Sequence, residues 1–445
     1  MLLWAMVGLL ACSVPTSKDD SGASISDAAT DATTTRPSTT ATTTDTTSSA
    51  DTSTTPCEGL LQAAEGEYLA WSSSIEGTRA RCEASAHAFH APQGTQVEIG
   101  LLDWSAESTA QLQVLDWNGT ELARWDGLSA GERVTFTFPW SGELLLRLGP
   151  DDVNASSNSY RLGLLCADQC AHEGSRYPIL FLHGMAGTDS WLSVVDYWWQ
   201  VPEHLEPLGY PVLTPAVDPF QTPEVRAVQW SNHLDELYAS GRARRVHLFG
   251  HSQGGLDARW LTTHLDPDRR VVSVTTMATP HFGSQTVDVL SGLLESSLIA
   301  DDILEAMADI YASWVGLTSD QELLEQLEAM TTAGAARFNA KTPDRPDVSY
   351  ASWAGITCNP IDLICSFARD GETVFAPLIT SHLTLQLLEG DNDGLVSEAS
   401  AKWGTYMGSV NADHLDEVGH LVGIPDAFDH LAFYASEAAR LAELE

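Results

Sequence analysis

Lysine is almost absent from this chain: Lys18, Lys341 and Lys402 are the only three in 445 residues. Basic residues total 22 against 61 acidic ones, a formal charge of −39. A surface of that sign repels nucleic acid and anionic membranes, which excludes a polyanion-binding role. Long apolar runs are also missing. The longest, Leu2 to Ala11, has ten residues, half of the roughly 20 that a bilayer span requires. What remains is ordinary globular composition, 43% hydrophobic and 8% aromatic, enough for a sizeable core. The length predicts two or three domains.

The N-terminal run reads as a signal for export rather than a membrane span. It ends Leu9-Leu10-Ala11-Cys12, which resembles the lipobox of bacterial lipoproteins, so residues 1–12 are expected to be a signal whose Cys12 becomes acylated. Six cysteines then remain: Cys57, Cys82, Cys166, Cys170, Cys358 and Cys365. An even number in an exported chain predicts three disulfides. Cys358 and Cys365 are expected to pair locally, and the other four allow three connectivities. Residues 13–56 are low in complexity, with fourteen threonines among the 26 residues from Thr30 to Thr55. Nothing there can form a core, and a disordered tether is expected.

Residues 57–170 read as an all-β domain. Short strand-like runs recur at Val97–Leu102, Leu112–Leu115, Glu121–Trp125, Val134–Phe138, Leu144–Leu148 and Tyr160–Leu165. Turn signals separate them, the strongest being the hairpin dipeptide Asn118-Gly119. This spacing predicts a small β-sandwich. It carries no catalytic cluster, and His87 and His90 read as surface or turn residues. From Ser175 to the C-terminus the texture changes to apolar runs (Ile179–Leu182, Val246–Phe249, Val271–Met277, Val348–Trp353) alternating with helical stretches such as Ala227–Tyr238 and Leu256–Leu265. That alternation predicts an α/β domain with a mostly parallel sheet.

Gly250-His251-Ser252-Gln253-Gly254, directly after an apolar strand, has the G-x-S-x-G pattern of a nucleophile elbow. The turn strains Ser252, so small residues are needed on both sides of it. A serine nucleophile needs two donors for the oxyanion. The N–H of Gln253 supplies one, and Met185, after His183-Gly184 on an early strand, the other. In an α/β-hydrolase the acid and then the histidine follow the serine. Asp393, in Asn392-Asp393-Gly394, lies in a tight turn. His414, His420 and His430 follow it, and spacing does not choose among them.

The segment from about Tyr177 onward resembles the secreted, calcium-dependent bacterial triacylglycerol lipases. The resemblance is carried in order by His183-Gly184-Met185-Ala186-Gly187, Asp196-Tyr197-Trp198-Trp199, Gly250 to Gly255, Ala278-Thr279-Pro280-His281-Phe282-Gly283-Ser284, Tyr350-Ala351-Ser352-Trp353-Ala354-Gly355, Asn392-Asp393-Gly394-Leu395-Val396-Ser397 and Asp413-His414-Leu415-Asp416-Glu417-Val418. It implies an α/β-hydrolase fold over residues 175–445, with Ser252 as nucleophile, Asp393 as acid, His414 as base, and Met185 and Gln253 at the oxyanion hole. It also implies one structural Ca²⁺, with Asp416 and the backbone carbonyls of His420 and Ile424 as ligands. Asp362, in Asn359-Pro360-Ile361-Asp362, matches the second carboxylate, with Asp370 as its rival. A lid is implied between Leu290 and Leu317, around Met307 and Trp314. Trp191, Tyr197, Trp198 and Trp199 read as core aromatics. A half-cystine usual after the acid is absent, and Cys358–Cys365 is expected to brace the loop instead.

The expected function is therefore an exported carboxylic-ester hydrolase, most directly a triacylglycerol lipase, acting on lipid or ester substrate, with a membrane foldase as a further partner the resemblance implies. A polyester depolymerase, phospholipase or acyltransferase would use the same residues. A surface-tethered binding protein is the reading from another class.

Overall fold

The computed structural model describes residues 62–65, 68–169, 174–185, 196–289, 320–419 and 428–445. The signal, the tether and the expected lid lie outside the described residues, as do Cys57, Cys170, Trp191, His420 and Ile424.

The N-terminal part holds nine strands: β1 (Gln62–Glu65), β2 (Ser73–Arg79), β3 (Glu83–Ala91), β4 (Gln96–Trp104), β5 (Ala110–Leu115), β6 (Glu121–Leu128), β7 (Arg133–Thr137), β8 (Gly142–Pro150) and β9 (Asn158–Asp168). They form two sheets, in the orders β1-β3-β8-β5-β6 and β2-β9-β4-β7. Alternate residues of both face one core that includes Phe89, Val97, Ile99, Leu112, Phe136, Leu146 and Leu162. All six expected strands are present, and Gly119 turns the β5–β6 hairpin at φ 81°. Strands β1 to β3 carry weaker patterns. Glu83–Ala91, for example, alternates alanine with histidine and a single phenylalanine. His87 and His90 are not surface or turn residues. Both are buried in β3, His87 against the Tyr160 hydroxyl at 2.9 Å and His90 against that of Tyr68, because polar rings can line a core once each has a partner.

The second part contains β10 (Ile179–Leu182), α1 (Val201–Leu205), β11 (Val212–Leu213), α2 (Pro223–Ala239), β12 (Val246–His251), α3 (Gln253–His264), β13 (Val271–Met277), α4 (Asp320–Ala329), α5 (Thr332–Lys341), β14 (Ser349–Ile356), α6 (Leu363–Ala368), α7 (Ile379–Leu388), α8 (Glu398–Ala401), β15 (Thr405–Asn411) and α9 (His430–Ala442). Its six strands pair in parallel in the order β11-β10-β12-β13-β14-β15. Strand period fixes which side each residue serves. Leu180, Leu182, Val246 and Leu248 join the core beneath α2 and α3, while Ile179, Phe181 and Phe249 join the opposite one with Trp198 and Tyr434. Continuous apolar runs such as Ile179–Leu182 are what a sheet covered on both faces demands. The fold is that of an α/β-hydrolase carrying an added β domain.

The β domain is docked on the hydrolase part. Buried Glu143 of β8 accepts from Arg176 Nε at 2.9 Å and Arg244 Nε at 2.7 Å. Arg244 also lies over the Trp117 ring at 4.3 Å. The β5–β6 loop closes the contact: Asn118 Nδ2 donates to Ala239 O at 2.7 Å, and Trp117 N–H to Gly241 O at 3.1 Å.

Candidate active site

Ser252 sits between β12 and α3 with φ 54° and ψ −130°, a strained conformation that the surroundings must hold. Its N–H donates to Met277 O at 2.9 Å, and its carbonyl accepts from the Thr279 hydroxyl at 2.8 Å. The glycines around it have no room for a side chain. A Cβ on Gly250 would lie 2.5 Å from the backbone of Gly254, and one on Gly254 would lie 2.1 Å from Leu182 O. The Gln253 side chain is buried and tied to Gln221 O at 2.7 Å and to Gln326 Nε2 at 2.5 Å, which fixes the first residue of α3. Gln326 was not legible as a support from sequence, because 73 residues separate the pair.

The β10 loop reaches the same point. A Cβ on Gly184 would be 2.7 Å from Ser252 Cβ, so Gly184 and its neighbour Met185 stand beside the serine. Buried Arg226 holds this loop from below, donating to Gly184 O at 3.0 Å and to the His183 carbonyl, with its Nε on Asp257 Oδ2 at 2.8 Å. His183 donates from Nδ1 to Gly184 O at 2.8 Å and accepts the Val217 N–H on Nε2 at 3.1 Å. Burial, reinforced by Arg226, pushes its pKa down to about 3.

Asp393 follows α7 in a turn at the C-terminal end of β14, where the Thr357 N–H donates to Asn392 O at 2.9 Å. The carboxylate is buried. Oδ1 accepts from the N–H groups of Leu395 and Val396 at 2.8 and 2.7 Å, and Oδ2 meets His414 Nδ1 at 2.7 Å. Of the two candidate histidines among the described residues, His414 is thus the one joined to Asp393. His430 instead meets Trp199 O at 2.9 Å. The His414 ring lies 4.6 Å from that of His251, the residue before the serine. Serine and histidine follow the C-terminal ends of the parallel strands β12 and β15, and the Asp393 turn is tied to the end of β14 between them, where open α/β sheets gather functional groups.

A second buried chain runs behind them. Gly184 N–H donates to the Tyr197 hydroxyl at 2.9 Å, that hydroxyl meets His251 Nδ1 at 2.6 Å, and His251 Nε2 meets Glu417 Oε2 at 2.8 Å. Burial, aided by Asp393, Asp413 and Asp416, holds the Glu417 carboxyl well above its usual range. Tyr197 and Trp198 are core residues, as expected. The linking roles of His251 and Glu417 were signalled only by their adjacency to the serine and histidine motifs.

Glu372, Asp413 and Asp416 form a buried group whose carboxylate oxygens lie within 4.8 Å of one another. Asp362 is not among them. It is exposed at the N-cap of α6, where its side chain accepts from Ile364 and Cys365 N–H at 3.2 and 3.0 Å. Asp370 is exposed too, 3.4 Å from Asn411 Nδ2. The reason is local: a disulfide-closed helical turn between Cys358 and Cys365 takes up the chain around Asp362, and Glu372 is the carboxylate that returns to Asp416. All the group's side-chain donors are hard carboxylate oxygens, the set that Ca²⁺ prefers.

A strained serine at a strand–helix elbow, with a histidine held by a buried aspartate and packed on the elbow's His251, all on a parallel sheet, fits an α/β-hydrolase. No protein-family model matches the chain. Among curated proteins it is 30% identical over 289 residues to the triacylglycerol lipase of Vibrio cholerae, covering 61% of this chain and 90% of that one. It is 29% identical over 314 residues to the triacylglycerol lipase of Pseudarthrobacter phenanthrenivorans, covering 61% and 98%. The solved Staphylococcus hyicus lipase is 20% identical with a TM-score of 0.45, covering 60% of this chain and 96% of that one. The chain belongs to the triacylglycerol lipase family of carboxylic-ester hydrolases.

Proposed function

We propose that this protein is an exported triacylglycerol lipase working through Ser252, His414 and Asp393. The observation that carries the reading is the 2.7 Å contact between His414 Nδ1 and Asp393 Oδ2, on a histidine packed against the elbow. Asp393 is itself held by two backbone N–H groups, so it fixes the imidazole with Nδ1 protonated and leaves Nε2 to take the Ser252 proton. The serine oxygen attacks the ester carbonyl. The tetrahedral oxyanion takes N–H donors from Met185 and Gln253. His414 returns the proton to the leaving alcohol, and water then repeats the sequence on the acyl-enzyme.

A Ca²⁺ ion fits the acid group of Glu372, Asp413 and Asp416, with backbone carbonyls of His420 and Ile424 as further ligands. It would supply positive charge that offsets these buried carboxylates, two of which, Asp413 and Asp416, lie one and two residues from His414. Export, with anchoring through an acylated Cys12, rests on Leu9-Leu10-Ala11-Cys12 and the even count of later cysteines. A membrane foldase is a proposed partner on the same resemblance.

Ser252→Ala tests the core of the reading. It should lower kcat on the order of 10⁶-fold and abolish fluorophosphonate labelling while leaving the melting midpoint near that of the parent. Turnover at the parent rate by the purified variant would sink it. A panel of triacylglycerols, phospholipids, polyesters and short-chain esters separates lipase from the other enzymes that share the triad.

A further inference from the structure

Large apolar side chains are mostly inside, and the densest and most exposed group of exceptions among the described residues is on one short turn. Ile361, Leu363, Ile364 and Phe367, within seven residues of sequence, are 85%, 78%, 85% and 90% exposed. Single exposed apolar residues are ordinary, whereas a cluster marks a contact surface. Covalent and hydrogen-bonded anchors hold this one outward. Asp362 caps α6, Cys365 is joined to the buried Cys358 by a disulfide, and the Val374 N–H donates to Cys358 O at 2.8 Å from the far side of the loop.

The anchors lead to the acid turn. Thr357, beside Cys358, donates its N–H to Asn392 O, and Arg369 at the end of α6 pairs with Asp391 at 3.1 Å. Helix α7, which runs into that turn, exposes Leu383, Leu387 and Leu388 as well. Both sets of exposed side chains therefore flank the segment that carries Asp393.

We propose that the disulfide-stapled α6 turn is a docking foot for an uncharged lipid surface, setting the Asp393 edge of the protein against aggregated substrate. Charge selects this occupant. The whole chain carries −39, the Asp362 carboxylate is engaged as a cap, and Arg369 is paired, so an apolar surface without negative charge is the one the patch can approach without repulsion. Size selects it too. A helix of six residues is only about 9 Å long, small for the roughly 800 Å² that each partner gives to a standard protein interface. Insertion into a lipid surface needs no complementary partner, and a few large side chains suffice. The ester-hydrolase reading supplies the reason for docking, but the binding test does not depend on it.

The test uses the full chain with Cys12→Ser, so that no acyl anchor contributes, and Ser252→Ala, so that nothing is hydrolysed. Flotation with phosphatidylcholine vesicles and with phosphatidylcholine-coated triolein droplets should recover this protein, and phosphatidylglycerol vesicles should recover less. Ile364→Ser with Phe367→Ser should reduce the bound fraction about tenfold or more, as expected for removing two large side chains from an apolar contact. Val225→Ser with Val228→Ser, at exposed positions of α2, should not. With Ser252 restored, the α6 double variant should keep the parent rate on a dissolved short-chain ester and lose rate on emulsion. Equal flotation of the parent and the α6 variant would overturn the proposal. So would a concentration-dependent dimer, seen by sedimentation, that the α6 variant alone abolishes, because the face would then belong to a second copy. If no ester were hydrolysed by any form, the functional reading would fail while flotation still decided the docking.

Discussion

At Ser252, the proposed nucleophile, position is set by lack of space. Gly250 and Gly254 pack so closely on their neighbours that a methyl group at either would enter backbone atoms, and Ser252 is held in a conformation that few residues adopt. At the histidine, position is set by charge and hydrogen bonds. Asp393 grips His414, while Glu372, Asp413, Asp416 and Glu417 are buried close by. The first arrangement needs only the fold. The second gathers carboxylates where burial disfavours their ionised forms, pushing Asp413 and Glu417 upward, and so calls for a compensating charge. One half of the site is thus a packing problem and the other an electrostatic one.

The harshest way to break this contrast is Gly254→Ala. The added carbon would sit 2.1 Å from Leu182 O, and backbone atoms cannot rotate away as a side chain can. A loss of about 3 kcal/mol is expected, at the severe end of overpacking, together with ester turnover, read by denaturant midpoint and kinetics. Parent-like values for both would mean that the elbow has slack and that its geometry is not steric.

The histidine end is probed by testing for the proposed Ca²⁺. Chelation should lower activity and melting midpoint together, by about 2.7 kcal/mol if the free ion had stood at a hundred times its dissociation constant. Glu372→Gln should reproduce the loss, whereas Asp362→Asn should not, since that carboxylate only caps α6. Elemental analysis before and after chelation checks the metal content. Metal-free protein with unchanged melting and turnover would refute the ion while leaving the serine, histidine and aspartate in place.

Legibility from sequence follows the same division. The elbow, the Gly184 loop and the Asp393 turn are contiguous motifs whose spacing is imposed by local geometry, and Ser252 and Asp393 could be named from them, whereas spacing left His414 level with His420 and His430 and only the family resemblance singled it out. Glu372 could not. It is defined by a loop that returns across the sheet edge, and nothing in Asp370-Gly371-Glu372 distinguishes it from other surface acids. Asp362 looked better because its surrounding residues fit a pattern, but the chain there folds into its own small turn. In the fold, strands with strong apolar alternation were legible. Glu83–Ala91, rich in alanine, and Thr405–Asn411, a partly exposed outer strand with one large aliphatic at Val410, were not, because pairing with neighbours rather than local pattern makes them strands.

The mildest prediction sharpens the contrast by pH. His183, under the nucleophile loop, is buried in a neutral form whose two ring nitrogens are both committed, and its pKa lies at about 3. In the unfolded chain it would titrate near 6.5. As pH falls below that value the unfolded state takes up a proton that the folded state refuses, so stability at the elbow declines and goes on declining until about pH 3. Between pH 7 and 5 this one group should cost about 2 kcal/mol. Buried carboxylates with raised pKa values act in the opposite sense, since acidification neutralises them in the folded state first. Comparing the pH dependence of unfolding in the parent with that in His183→Asn isolates the histidine, because every other titrating group is common to both. The variant should start less stable at pH 7 and lose less on acidification. Parallel curves would show that His183 takes up its proton within the fold, and that the nucleophile end answers to charge as the histidine end does.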